Sequence, residues 1–68
     1  MPIWEYLYLN EVENHVKLVN GVEARDWKKG PHVSSYLNQM GQQGWELVTY
    51  FYFSMQNAGI AVMKRRVA

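Results

Sequence analysis

His32, Ser34 and Ser35 stand close together in PHVSS, and a hydroxyl beside an imidazole is the raw material of nucleophilic catalysis. Such a site also needs an acid to orient the imidazole and a turn that presents the hydroxyl, such as a Gly-x-Ser-x-Gly elbow. No acid is spaced for that task and no elbow occurs. A helix start accounts for all three residues, since Ser is a common capping residue there. The carboxylates are Glu5, Glu11, Glu13, Glu23, Asp26 and Glu46. Paired acid–base work needs two carboxyls in contrasting environments, whereas Glu11 and Glu13 are expected to share a polar turn and a solvated face. Only His15 and His32 could supply imidazole ligands, without His-x-x-x-His spacing, and the absence of Cys removes thiolate sites and disulfides. The sequence therefore predicts no catalytic residue, no metal and no cofactor, and a chain that is not an enzyme.

Anion chemistry has more to work with. Gly41 and Gly44 form a GxxG, but it ends a helix instead of starting one, the wrong pole for an anion. In RDWKKG (25–30), Arg25, Lys28 and Lys29 surround Trp27, a composition suited to stacking a base and neutralising phosphate. Lys64 and Arg66, in a terminal basic cluster with Arg65, could complete such a site across subunits. The plainer reading has Trp27 covering the core edge, the lysines solvated, and the strand charges discouraging edge aggregation. A net charge of +1 does not by itself point to nucleic acid.

These residues must be positioned by very little protein. A chain of 68 residues makes one domain (1–68) and buries roughly 60% of its unfolded surface. Without disulfides or a structural metal, self-association is the expected source of further stability. A hydrophobic fraction of 49% marks a globular chain. The start, MPIWEYLYLN, has neither a basic leader nor an uninterrupted apolar core, so no signal peptide is expected, and the lack of Cys makes the cytoplasm the expected location. Leu47 to Met63 carries no charge, but SMQNAG (54–59) interrupts it. Each half is too short to span about 30 Å of hydrocarbon as a helix, so two strands and a turn are predicted instead of a membrane segment.

Ile3–Asn10 alternates with high β-propensity and predicts a strand, followed by a turn at Glu11–Asn14. Val16–Val19 and Val22–Arg25 flank Asn20-Gly21, the dipeptide of a type I′ hairpin turn. Asp26–Gly30 reads as a charged loop. Pro31 suits the first turn of a helix, in which Val33, Tyr36, Leu37 and Met40 form one apolar stripe. Gly44 suits the left-handed closure of that helix. A strand over 45–54, a turn around Gln56–Gly59 and a strand over Ile60–Val67 complete an antiparallel hairpin. The predicted fold is α+β: a sheet of three to five antiparallel strands with one helix on one face, in β(ββ)αββ order.

Trp4-Glu5-Tyr6, then Leu37-Asn38, Gly41, the run Gly44-Trp45-Glu46-Leu47-Val48 and the close Met63-Lys64-Arg65 together resemble domain of unknown function 4177. That is a family of short, mostly bacterial and phage proteins. The resemblance spans about two-thirds of the chain. It implies a β–α–β–β core and brings no established activity and no site residues. This chain departs from the shorter members at 11–31.

The strand at 45–54 raises the functional question. By alternation, Trp45, Leu47, Thr49, Phe51 and Phe53 share one face and Glu46, Val48, Tyr50 and Tyr52 the other. Strand 1 sets Trp4, Tyr6 and Tyr8 against Ile3, Glu5, Leu7 and Leu9. One short helix covers one face only, so Trp4, Tyr6, Tyr8, Val48, Tyr50 and Tyr52 are expected on the uncovered side. Either the hairpin 16–25 folds over them or a partner does, and tyrosine-rich, lysine-poor patches are interface-like. The expected function is a non-catalytic interaction module that binds itself, or a second protein, through this face. The alternative is a binder of a nucleotide or another small anion through Arg25, Trp27, Lys28 and Lys29 with Lys64 and Arg66; nucleic-acid binding is weaker still.

Overall fold

A computed structural model describes residues 2–68. The elements in chain order are β1 (Trp4–Val12), β2 (His15–Val19), β3 (Val22–Glu23), α1 (Val33–Gly41), β4 (Glu46–Phe53) and β5 (Ala58–Arg66), with 3₁₀ turns at Trp27–Lys29 and Ser54–Gln56. The strands form one antiparallel sheet in the order β3-β2-β1-β5-β4. The single helix lies on one face. This is the expected α+β architecture, and among the described residues no helix is long and apolar enough to cross a membrane.

Both tight hairpins at the start of the chain use left-handed backbone. Asn20 and Gly21 have φ of 52° and 81°, as a type I′ turn requires. Glu13 and Asn14 have φ of 53° and 69°, which corrects the expected turn over Glu11–Asn14. The turn is only two residues long, so β1 continues to Val12 and Glu11 is a strand residue. Glu11 is also 1% exposed, the opposite of the solvated position its charge suggested. The 16–25 hairpin does not fold over the open face: it extends the sheet through two pairs, Leu18 with Glu23 and Val19 with Val22.

Helix α1 is anchored before it begins. Val33 N–H donates to the Asn14 carbonyl at 2.8 Å, and His32 bridges to His15 at the start of β2. Its stripe of Val33, Tyr36, Leu37 and Met40 packs over Leu7, Leu9, Val16, Ala61 and Met63. Each fully buried Leu, Val or Met side chain there contributes roughly 1.5–3 kcal/mol. Beyond the helix, Trp45 N–H donates to Met40 and Gly44 N–H to Gly41, both at 3.1 Å. These are the two bonds of a Schellman closure, which places Gly44 (φ 91°) at its left-handed position. Arg65 locks the exit: it pairs with Glu5 at 2.5 Å, donates to the Gln43 carbonyl, and lies over the Trp45 ring.

The register of β4 carries the main surprise. Leu47 pairs with Met63, but the next pair is Thr49 with Val62, so Val48 is an extra residue. Such a bulge shifts every later side chain to the opposite face. Trp45 and Leu47 keep the expected helix side. Thr49, Phe51 and Phe53, expected beneath the helix, lie on the open face. Tyr50 and Tyr52, expected on the open face, share the helix side with their partners Ala61 and Gly59.

Gly59 sits where a side chain would not fit. A Cβ there would lie 2.8 Å from the Phe51 carbonyl oxygen and 3.1 Å from the Glu11 side chain. Gly59→Ala should therefore lower stability by about 1–3 kcal/mol in denaturant unfolding; a loss below about 0.5 kcal/mol would show that the strands yield freely at this point.

Candidate functional site

The face away from α1 is built by alternate residues of three adjacent strands. Row by row across β1, β5 and β4, the register sets Tyr6, Lys64 and Glu46 side by side, then Tyr8, Val62 and Thr49, then Asn10, Ile60 and Phe51. Trp4 lies beyond the first row, opposite Arg66, and Phe53 beyond the last, opposite Ala58. Trp4 is 39% exposed, Tyr6 and Tyr8 56%, Phe51 61% and Phe53 46%. With full side-chain areas of 150–250 Å², these five aromatics alone present roughly 500 Å². The charges gather at one end, where the Lys64 ammonium stands 4.5 Å from the centre of the Trp4 ring.

Of the six residues expected to form this surface, Trp4, Tyr6 and Tyr8 are on it. Val48 is the bulge residue, half exposed, and Tyr50 and Tyr52 are on the reverse side. Phe51, Phe53 and Ile60 take their place. The pattern TYFYF offered aromatics to both faces, so only the position of the bulge decides which set is exposed.

On the reverse side, beyond the reach of the helix, Glu11 extends over Gly59 and accepts a hydrogen bond of 2.6 Å from the Tyr50 hydroxyl. The Tyr52 hydroxyl donates to Asn57 at 2.5 Å. Loss of solvent, reinforced by the bond to and negative charge of Glu11, pushes the Tyr50 phenol up to about 12. Glu11 Oε1 is buried with no hydrogen-bond partner, so this carboxylate depends heavily on Tyr50.

The charged loop forms a separate, open hollow of about 510 Å³, lined by Arg25, Trp27, Lys28 and Lys29 together with the acids Glu23 and Asp26. Lys17 and Lys28 stand 5.2 and 5.6 Å from the Trp27 ring centre, within cation–π range, where they compete with any base that would stack. Lys64 and Arg66 are not part of this hollow. They pair with Tyr6 and Trp4, whereas Lys17 sits in the β2 bulge opposite Asn10 and Glu11. Four to seven residues of strand, about 13–23 Å, lie between. Within one chain the two halves of the alternative ligand site do not meet.

His32 touches His15 instead of serving Ser34 or Ser35: their rings meet edge-on, 4.7 Å apart, and His15 Nδ1 is 3.0 Å from the Gly30 carbonyl. The two serines are exposed on the first turn of α1. Among the described residues no three His, Asp or Glu side chains are grouped to hold a metal ion. No family model matches the chain, and no curated protein or solved structure matches it.

Tyr50→Phe removes the hydroxyl that satisfies Glu11 and should cost about 1–3 kcal/mol in denaturant unfolding. The pH dependence has a definite sign. A phenol held above its ordinary value of 10.0, at about 12, stabilises the fold fully below pH 10, and that contribution is lost as pH rises through 12. Unfolding midpoints measured from pH 9 upward should fall more steeply in the native sequence than in Tyr50→Phe.

Proposed function

We propose that this chain is a non-catalytic interaction module that assembles with itself through the open aromatic face of its sheet. The observation that carries the reading is the set of Trp4, Tyr6, Tyr8, Phe51 and Phe53, each more than one-third exposed on one face. A patch of roughly 500 Å² is as large as monomers ordinarily tolerate. It approaches the roughly 800 Å² per partner of a standard interface. A second copy is the occupant that best fits. The patch combines aromatics at its centre with both signs of charge, Lys64, Arg66 and Glu46, at one end, a rim that two-fold pairing can match to itself. The small core gives self-association a stabilising role as well: the buried apolar residues are Leu7, Leu9, Val16, Val33, Ala61 and Met63.

Light scattering or sedimentation at micromolar concentration should return an oligomer, and Tyr8→Glu should reduce the association constant at least about a hundredfold by burying an unpaired charge. Tyr52→Glu, on the reverse side, should leave that contact intact. A monomeric native protein, or an oligomer indifferent to Tyr8→Glu, would remove the face as its basis.

A second reading is supported by the hollow at Arg25, Trp27, Lys28 and Lys29: a site for a nucleotide or another small anion, with nucleic acid a weaker possibility on the same residues. Titration with a nucleotide panel should then quench Trp27 fluorescence in a salt-sensitive manner. Unchanged emission across the panel, compared with Trp27→Phe, would dispose of it.

A further inference from the structure

The two edges of the sheet are treated very differently. At one edge β3 is two residues long and carries Glu23, a blunted edge that offers little to pair with. At the other, β4 is eight residues long, and from Leu47 to Phe53 it contains no charge, no Pro and no Gly. It pairs only with β5, so every second residue turns its N–H and C=O outward with no strand to receive them. Its bulge ends at Thr49, leaving Thr49–Phe53 as a regular ladder of one β-branched and four aromatic residues. A segment of this kind pairs readily with its own kind.

We infer that β4 pairs edge to edge with β4 of a second copy, antiparallel and about a two-fold axis at Phe51, joining two five-stranded sheets into one of ten strands. The inference rests on the reading of the chain as self-associating and adds a second contact to it. What identifies the occupant as another copy is the self-complementarity of TYFYF. Antiparallel pairing centred on Phe51 sets Phe51 against Phe51, Tyr50 against Tyr52 and Thr49 against Phe53. Directly opposed aromatic and β-branched side chains are favourable cross-strand pairs. No like charges meet: Glu46, the only charged residue of β4, falls opposite Gln56 at the end of the ladder. The same pairing satisfies the outward backbone groups and carries the open aromatic faces of the two copies into one continuous surface. A contact of this type is isologous and closes on itself, so it ends the edge instead of propagating it.

Amide-resolved hydrogen exchange by NMR, on the native chain and on Tyr8→Glu, tests the inference separately from the face contact. An edge-paired β4 protects consecutive amides from Thr49 to Phe53, each slowed roughly a hundredfold or more, while a free edge protects only every second one. The expected result is consecutive protection in both proteins, with a native assembly larger than a dimer that Tyr8→Glu reduces to a dimer. Adding Phe51→Lys, which opposes two like charges at the axis, should convert that dimer to a monomer and restore alternation. Alternating protection in a native oligomer that Tyr8→Glu dissociates would overturn the edge contact and leave the face contact standing. Consecutive protection in an oligomer indifferent to Tyr8→Glu would do the reverse. A native monomer with alternating protection would overturn both.

Discussion

A nine-residue helix is about 14 Å long, while the nine-residue strands β1 and β5 each extend about 30 Å. The helix can therefore close only part of one face, and the remaining surfaces have to be closed by other means. Near the start of β1, Arg65 links Glu5, the Gln43 carbonyl and the Trp45 ring into a polar lid over the helix exit. Near its end, Glu11 crosses Gly59 to reach Tyr50, and Tyr52 reaches Asn57. Both closures replace apolar burial with hydrogen bonds, which hold geometry well but add little net stability. The opposite face receives no such closure, and the aromatic side chains stand there exposed.

The polar closure at Glu11 explains several unrelated features together. A carboxylate can be accommodated at 1% exposure only if a donor is held in place for it, and Tyr50 can reach it only from the reverse side. The bulge at Val48 puts Tyr50 there. Gly59 leaves the gap through which the Glu11 side chain passes. The exposure of Phe51 and Phe53 on the far face is the other half of the same rotation, so the candidate interaction surface and the buried hydrogen bond are set by one inserted residue.

Much of this fold was legible from residue patterns. The α1 stripe, the positive φ at Asn20, Gly21 and Gly44, and the antiparallel pairing of β4 with β5 all follow from local chemistry that tertiary context did not override. Trp4, Tyr6 and Tyr8 were placed correctly because β1 alternates without interruption on either side of them. Tyr50 and Tyr52 were not, because alternation assumes a strict period of two and a run with aromatics at every position gives no sign of a bulge. The burial of Glu11 leaves no trace in the sequence, because an isolated acid carries no mark of a partner 39 residues away. The tightness of the Glu13–Asn14 turn is hidden in the sequence because Glu seldom adopts positive φ. Nothing in the sequence shows that β1 stands between the loop and the C-terminal cations.

The bulge also makes the two faces of β4 interchangeable. Drawing Val48 into the ladder opposite Val62, in place of bulging it out, would restore strict alternation and rotate everything downstream by half a turn. Tyrosines would then replace phenylalanines on the open surface, and Glu11 would lose its donor in the same step. An adhesive surface and a structural bond are thus inherited as one unit in this chain, and neither can drift along the strand without carrying the other.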